Sequence, residues 1–135
     1  MAQQSPLIHI AVVGAHLEGQ PLHRQLTERG ATFLIRTTTA TCYRLFALDT
    51  TPPKPGLQRV AADDPSATAI EVEVYALEPA AFADFVDHIP APLGIGRIEL
   101  DGGSSVAGFI CEPIALVDAI DISHYGGWRG YLRDS

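Results

Sequence analysis

Lysine is almost missing from this chain. The nine basic residues are Lys54 and eight arginines, set against 16 acids, for a formal charge of −7. That balance excludes the basic face a phosphate backbone requires, so nucleic acid is not an expected partner. It also excludes a polybasic membrane anchor. No apolar run approaches the roughly 20 residues that span a bilayer. Cysteine is scarce: Cys42 and Cys111 lie far apart in apolar surroundings, which predicts two reduced thiols and no disulfide framework. Met1-Ala2-Gln3-Gln4-Ser5-Pro6 has neither a basic stretch nor a long apolar one. No secretory leader is therefore expected, and a cytoplasmic protein is. The glycine fingerprints of nucleotide sites, GxGxxG and GxxxxGK[ST], do not occur. His9, His16, His23, His88 and His124 share no ligand spacing with cysteine or carboxylate, so neither a metal nor a cofactor is expected.

What is present suits one domain over residues 1–135, with 1–6 as a flexible tail. Hydrophobic residues are 47% and charged residues 19% of 135, enough to bury a core without staples. Leu7 to Val13 is a continuous β-favouring run and predicts a buried strand. It ends in Gly14-Ala15-His16-Leu17-Glu18-Gly19-Gln20, a loop with two glycines. Pro21 suits the first turn of a helix that carries Leu22 and Leu26 and stops at Gly30. Strands are expected over Thr32–Thr38 and Tyr43–Leu48. Thr50 to Gly56, with three prolines, predicts a stiff loop, and Leu57–Ala62 a short strand.

Ala69 to Ala76 has the cleanest alternation: Ile70, Val72 and Val74 face one way, and Glu71, Glu73 and Tyr75 the other. Pro79 opens a second helix with Phe82, Phe85, Val86 and Ile89 on one face, stopped by Pro90 and Pro92. Ile95–Leu100 and Val106–Cys111 flank the hairpin signal Asp101-Gly102-Gly103. Six or seven strands with two or more short helices predict an α+β fold whose mostly antiparallel sheet curls into a small barrel.

The candidate functional residues cluster after the first strand. A glycine-flanked loop leading into a helix start offers free N–H groups to a carboxylate. His16, within it, can add a proton near neutral pH. Glu71 and Glu73 lie about 7 Å apart on one strand face and are a possible acid/base pair. Arg129, after Gly126-Gly127-Trp128, can clamp a carboxylate in two places or tie the C-terminal segment to the acidic body.

These segments together resemble the C-terminal domain of allophanate hydrolase. The resemblance is carried by Gly14 to Leu22, Gln25-Leu26-Thr27, Tyr43 to Leu48 and Lys54-Pro55-Gly56-Leu57. It continues through Ile89 to Gly96, Gly108 to Glu112, Asp121-Ile122-Ser123 and Tyr125 to Leu132. It implies a γ-glutamylcyclotransferase-like fold, a small mixed barrel with flanking helices, in which Gly14 to Gln20 forms the ligand cavity.

With that loop as the ligand cavity, Gly14, Ala15, Leu17, Gly19, Gln20, Pro21, Tyr43 and Arg129 are expected to bind a small dicarboxylate of urea or allophanate breakdown. His16 would be the proton donor that decarboxylates N-carboxycarbamate. A carbamate loses CO2 when its nitrogen gains a proton, so the site must hold a dianion and deliver that proton. Two alternatives stand beside this one. The first is a non-catalytic assembly module, a homodimer or a partner for a separate amidase chain. The second is a γ-glutamylcyclotransferase-like enzyme using Glu71 or Glu73.

Overall fold

The computed structural model describes residues 6–134; the expected flexible tail lies, apart from Pro6, outside the described residues. Eight strands form two sheets. β1 (Ile8–Val12), β2 (Thr32–Thr38), β5 (Glu71–Leu77), β6 (Leu93–Glu99) and β7 (Ser105–Cys111) make a sheet in the order β2-β5-β1-β7-β6. β3 (Tyr43–Leu48), β4 (Lys54–Arg59) and β8 (Ile120–Asp121) make a second, ordered β4-β3-β8. Among the described residues only the pairing of β1 with β7 is parallel; the other ladders are antiparallel. The helices are α1 (Arg24–Thr27), α2 (Pro79–Asp87) and α3 (Trp128–Asp134). The fold class is α+β and mostly antiparallel, as expected.

The larger sheet curls strongly. Just beyond β2 and β6, its two edges, Thr39 bridges to Leu100. Asp101 N–H donates to the Thr38 carbonyl and Ala40 N–H to the Glu99 carbonyl, both at 2.9 Å. The hairpin between β6 and β7 turns through Gly102 and Gly103, at φ +94° and +96°, where a Cβ is costly. β1 runs through the middle of this sheet, and Ile10, Ala11 and Val12 are fully buried. That is why its sequence is continuously apolar. Leu26, Ile70, Leu77, Ile98 and Trp128 close the core around it, each buried Leu or Ile contributing about 2 kcal/mol. Cys42 is buried and Cys111 half-buried, both as free thiols.

Two expectations are corrected. The stretch at Lys54-Pro55-Gly56 is not loop but the first half of β4, with Pro55 opposite Ala47. β4 is an outer strand, and at an edge a proline need donate nothing to the ladder. The first helix begins at Arg24, not Pro21, and is one turn long. Leu22 N–H turns back to the Ala15 carbonyl at 2.8 Å, which holds the preceding residues in turns.

The polar face of β5 is covered rather than wet. Glu73 is fully buried. One oxygen accepts the Glu18 N–H at 2.8 Å and the Tyr75 hydroxyl at 3.0 Å; the other accepts Arg36 and Arg129 at 2.8 and 2.9 Å. Arg36 sits opposite Glu73 in the β2–β5 register, so that partner follows from strand pairing. Arg129, from α3, also reaches Glu71 at 2.9 Å and donates to the Glu18 carbonyl at 2.7 Å. Burial pushes the Glu73 carboxyl up, but the four donors outweigh it and hold the pKa below the ordinary value.

Removing that carboxylate leaves the Glu18 N–H and the Tyr75 hydroxyl without their acceptor and takes one of two carboxylates from Arg129. Glu73→Ala is expected to lower stability by about 3 kcal/mol. Arg59→Ala, which breaks the more exposed pair with Glu99, should cost no more than about 1 kcal/mol. Urea denaturation of the two variants measures the contrast.

Candidate functional site

The chain leaves β1 at Val12 and turns at Gly14. A Cβ on Gly14 would collide with the Pro55 ring, so only glycine lets this loop lie flat on β4. That contact brings His16 and Lys54 to one space. The loop is laced to itself: Leu17 N–H donates to the Gly14 carbonyl at 3.0 Å, and His23 Nδ1 to the His16 carbonyl at 3.0 Å.

His16 is buried. Its ring stacks on Phe109, with centroids 5.0 Å apart, and meets the edge of Phe85 at 5.1 Å. Nε2 donates to Gln25 Oε1 at 2.7 Å, which leaves Nδ1 as the free nitrogen of the neutral ring. Burial drives the pKa down to about 4; the Gln25 bond opposes this, and the charges of Lys54, His23 and Arg29 reinforce it. The ring is therefore neutral at pH 7.

Lys54 is 8% exposed and forms no ion pair or side-chain hydrogen bond among the described residues. No buried side-chain nitrogen or oxygen of the described residues lacks a partner, so the Lys54 ammonium opens on the cavity rather than lying sealed in the core. The five arginines that form ion pairs in the fold all have carboxylates. Lys54 lines a cavity of about 200 Å³ together with His16, Gln25 and His88. The remaining walls are apolar: Leu22, Pro52, Ile89, Pro90, Leu93 and Phe109. A narrow cleft opens off it past His16 and Lys54 and is walled by Gly14, Ala15 and Pro55. The arrangement offers one fixed positive charge, one neutral imidazole of low basicity and an apolar wall. That is chemistry for holding an anion and controlling a proton.

A larger depression of about 520 Å³ lies by Pro65–Thr68 and His124, but its Asp121 and Ser123 side chains are already engaged. Asp121 binds Arg44, at 3.0 Å from Nε, and the Ser123 hydroxyl accepts the Leu45 N–H at 2.8 Å. With no uncommitted cation, it is the weaker candidate.

Of the residues singled out from the sequence, Gly14, Ala15 and His16 border the cavity or its cleft. Leu17 is buried in the core. Gly19 and Pro21 are exposed and Gln20 is partly so; none of the three lines the cavity. Tyr43 is buried in β3, its hydroxyl accepting the Glu99 N–H at 2.9 Å. Arg129, Glu71 and Glu73 are joined to one another behind the loop, outside the cavity. Sequence reading passed over Lys54, Gln25 and His88 as site residues. For Lys54 a signal existed: it is the single lysine, placed between prolines.

Comparison with known proteins supplies the rest. The family model of the allophanate hydrolase C-terminal domain matches residues 8–133. The urea amidolyase of Saccharomyces cerevisiae is 46% identical over 133 residues, 96% of this chain but 7% of the yeast protein. A Kluyveromyces lactis allophanate hydrolase structure is 42% identical with a TM-score of 0.89, over 95% of this chain and 21% of that one. A uropathogenic E. coli-specific protein is 30% identical with a TM-score of 0.86, over 97% of this chain and 99% of that one. The chain thus spans a small fraction of the yeast relatives and nearly all of the bacterial one.

The low pKa of His16 has a thermodynamic consequence. Unfolding returns the ring to its ordinary pKa of 6.5, so between pH 6.5 and 4 the unfolded chain binds the extra proton. Stability is then full above pH 6.5 and falls as pH drops toward 4, by about 3 kcal/mol from this group. His16→Gln should flatten that acid limb in urea midpoints measured from pH 8 to 4. Equal slopes in the two proteins would contradict a buried neutral imidazole.

Proposed function

The chain belongs to the allophanate hydrolase C-terminal domain family, and we propose that it binds a small dicarboxylate and decarboxylates N-carboxycarbamate at the His16–Lys54 cavity. The observation that carries this reading is Lys54, largely buried and without an ion-pair partner among the described residues, its ammonium open to the cavity beside an imidazole that is neutral at rest. Lys54 would take one carboxylate of the dianion. The second carboxylate, close to His16, favours the protonated ring, so binding would draw a proton from solvent onto Nδ1. Burial, which holds the empty site's ring at a pKa of about 4, keeps working against the imidazolium and so favours handing that proton on.

Transfer to the substrate nitrogen breaks one C–N bond; its electron pair stays on nitrogen and CO2 leaves. Dianion plus proton thus become carbamate plus CO2, with the carbamate still held by Lys54. Gln25, fixed on Nε2, orients the ring. The N–H groups of Ala15 and His16, which have no hydrogen-bond partner among the described residues, are further donors to the anion. Two free thiols fit a reducing compartment such as the cytoplasm. No helix of the described residues is long and apolar enough to cross a membrane.

A second reading, an assembly module, is favoured by exposed apolar side chains. Phe33, Leu34 and Ile35 lie on the edge strand β2, and Ile114, Val117 and Ile120 lie on and before β8. Such surface is what a homodimer or a separate amidase chain would cover.

Malonate, with CH2 in place of N–H, separates the two. At 100 times its dissociation constant it should stabilise the chain by about 2.7 kcal/mol, more at pH 6 than at pH 8 because binding takes up a proton. Lys54→Met and His16→Ala should lose the shift in thermal unfolding. A chain that ignores malonate and sediments as a dimer would favour assembly over decarboxylation.

A further inference from the structure

The cavity is not shaped for a dianion alone. Its walls carry one lysine, and the other polar side chains are the neutral His16, Gln25 and the largely exposed His88. Arg29, whose charge also acts on His16, is paired with Asp84 at 2.9 Å and donates to the Gln25 carbonyl. Arg129 is paired behind the loop with Glu71 and Glu73. A second carboxylate therefore finds no second lysine or arginine among the cavity walls, and at His16 it must protonate the ring against its burial. A monocarboxylate needs Lys54 and nothing more.

The shape points the same way. His16, Lys54, Leu93 and Phe109 border both the narrow cleft and the wider cavity. Leu22, Pro52, Ile89 and Pro90 belong to the wider part alone, which runs on from the charged junction toward the end of α2. A dicarboxylate anchored on Lys54 leaves those four side chains facing water. A carboxylate carrying a short alkyl chain covers them.

We propose that this cavity takes a second ligand class: monocarboxylates bearing a short apolar chain, the carboxylate on Lys54 and the chain along Leu22, Ile89 and Pro90. The inference rests on the reading of the Lys54–His16 junction as a carboxylate site, and it widens the range of acids that site accepts.

Calorimetric titration of the whole chain at pH 7 with acetate, butyrate, hexanoate and malonate tests it. Each added methylene that finds the apolar wall should tighten binding about fourfold, so hexanoate should bind far more tightly than acetate. Lys54→Met should abolish binding throughout the series. Leu22→Phe should move the tightest binding to a shorter acid. Affinity that is flat or falls from acetate to hexanoate, while malonate still binds, would overturn the proposal and leave the dicarboxylate reading intact. A rise with chain length without any malonate binding would support the proposal and remove the decarboxylation reading. A rise that survives Lys54→Met is general apolar binding and would overturn it, as would a failure of all four acids.

Discussion

One buried carboxylate holds the working end of this molecule together. Glu73 lies in the middle of β5 with no exposed surface, and its four donors come from four places. Arg36 belongs to the neighbouring strand, Tyr75 to the same strand, Arg129 to the C-terminal helix and the Glu18 N–H to the loop after β1. Such a charge is tolerated in the interior because every donor is satisfied. Because Arg129 also donates to the Glu18 carbonyl, both polar groups of that residue's backbone are held. The loop that carries His16 is therefore pinned from behind by the carboxylate–guanidinium pair and from the front by the Gly14–Pro55 contact.

That pinning explains how a histidine with so low a pKa persists. A mobile loop would let the ring reach water and recover its ordinary basicity. Here it is wedged between Phe85 and Phe109 and tied to Gln25. Lys54 adds a repulsive charge on the same side of the balance. An anion bound beside Lys54 would oppose that repulsion, so on the proposed reading anion binding and proton uptake at His16 are linked.

The strands were legible where one physical rule governed them. β2 and β3 match their expected limits, because β-branched and aromatic runs between turn residues leave little choice. The hairpin at Gly102-Gly103 was legible from its turn chemistry. β4 was hidden because proline content argues against a strand unless the strand is known to be an edge, which is a tertiary fact. The site was half legible. The loop and His16 follow from a glycine-rich stretch after a buried strand, but the expected helix end behind them shrank to one turn, so burial rather than a helix dipole sets the imidazole's pKa. Arg129 and Glu73 lie far apart in sequence, and no local pattern shows that they neutralise each other. Lys54 stood out as the single lysine, but its place in the site was hidden with β4, since a lysine in an exposed loop points to no site and a lysine at the start of a buried strand does.

The division of labour between arginine and lysine is the last piece. Arginine's planar fork suits fixed, two-point pairing with carboxylates, and five of the eight arginines here serve that structural use. Arg36, Arg44 and Arg129 each reach acids on other elements. A guanidinium at position 54 would present the same rigid fork inside a space of about 200 Å³ and would bias the cavity toward one orientation of one carboxylate. An ammonium is a compact charge on a flexible apolar stem. Its stem can lie along the Leu93 and Phe109 walls while its head follows an anion. The proposed decarboxylation, in which a dianion gives way to a smaller carbamate, would be better served by a movable point charge than by a fixed fork. The chain places its one lysine where that difference would have a chemical use.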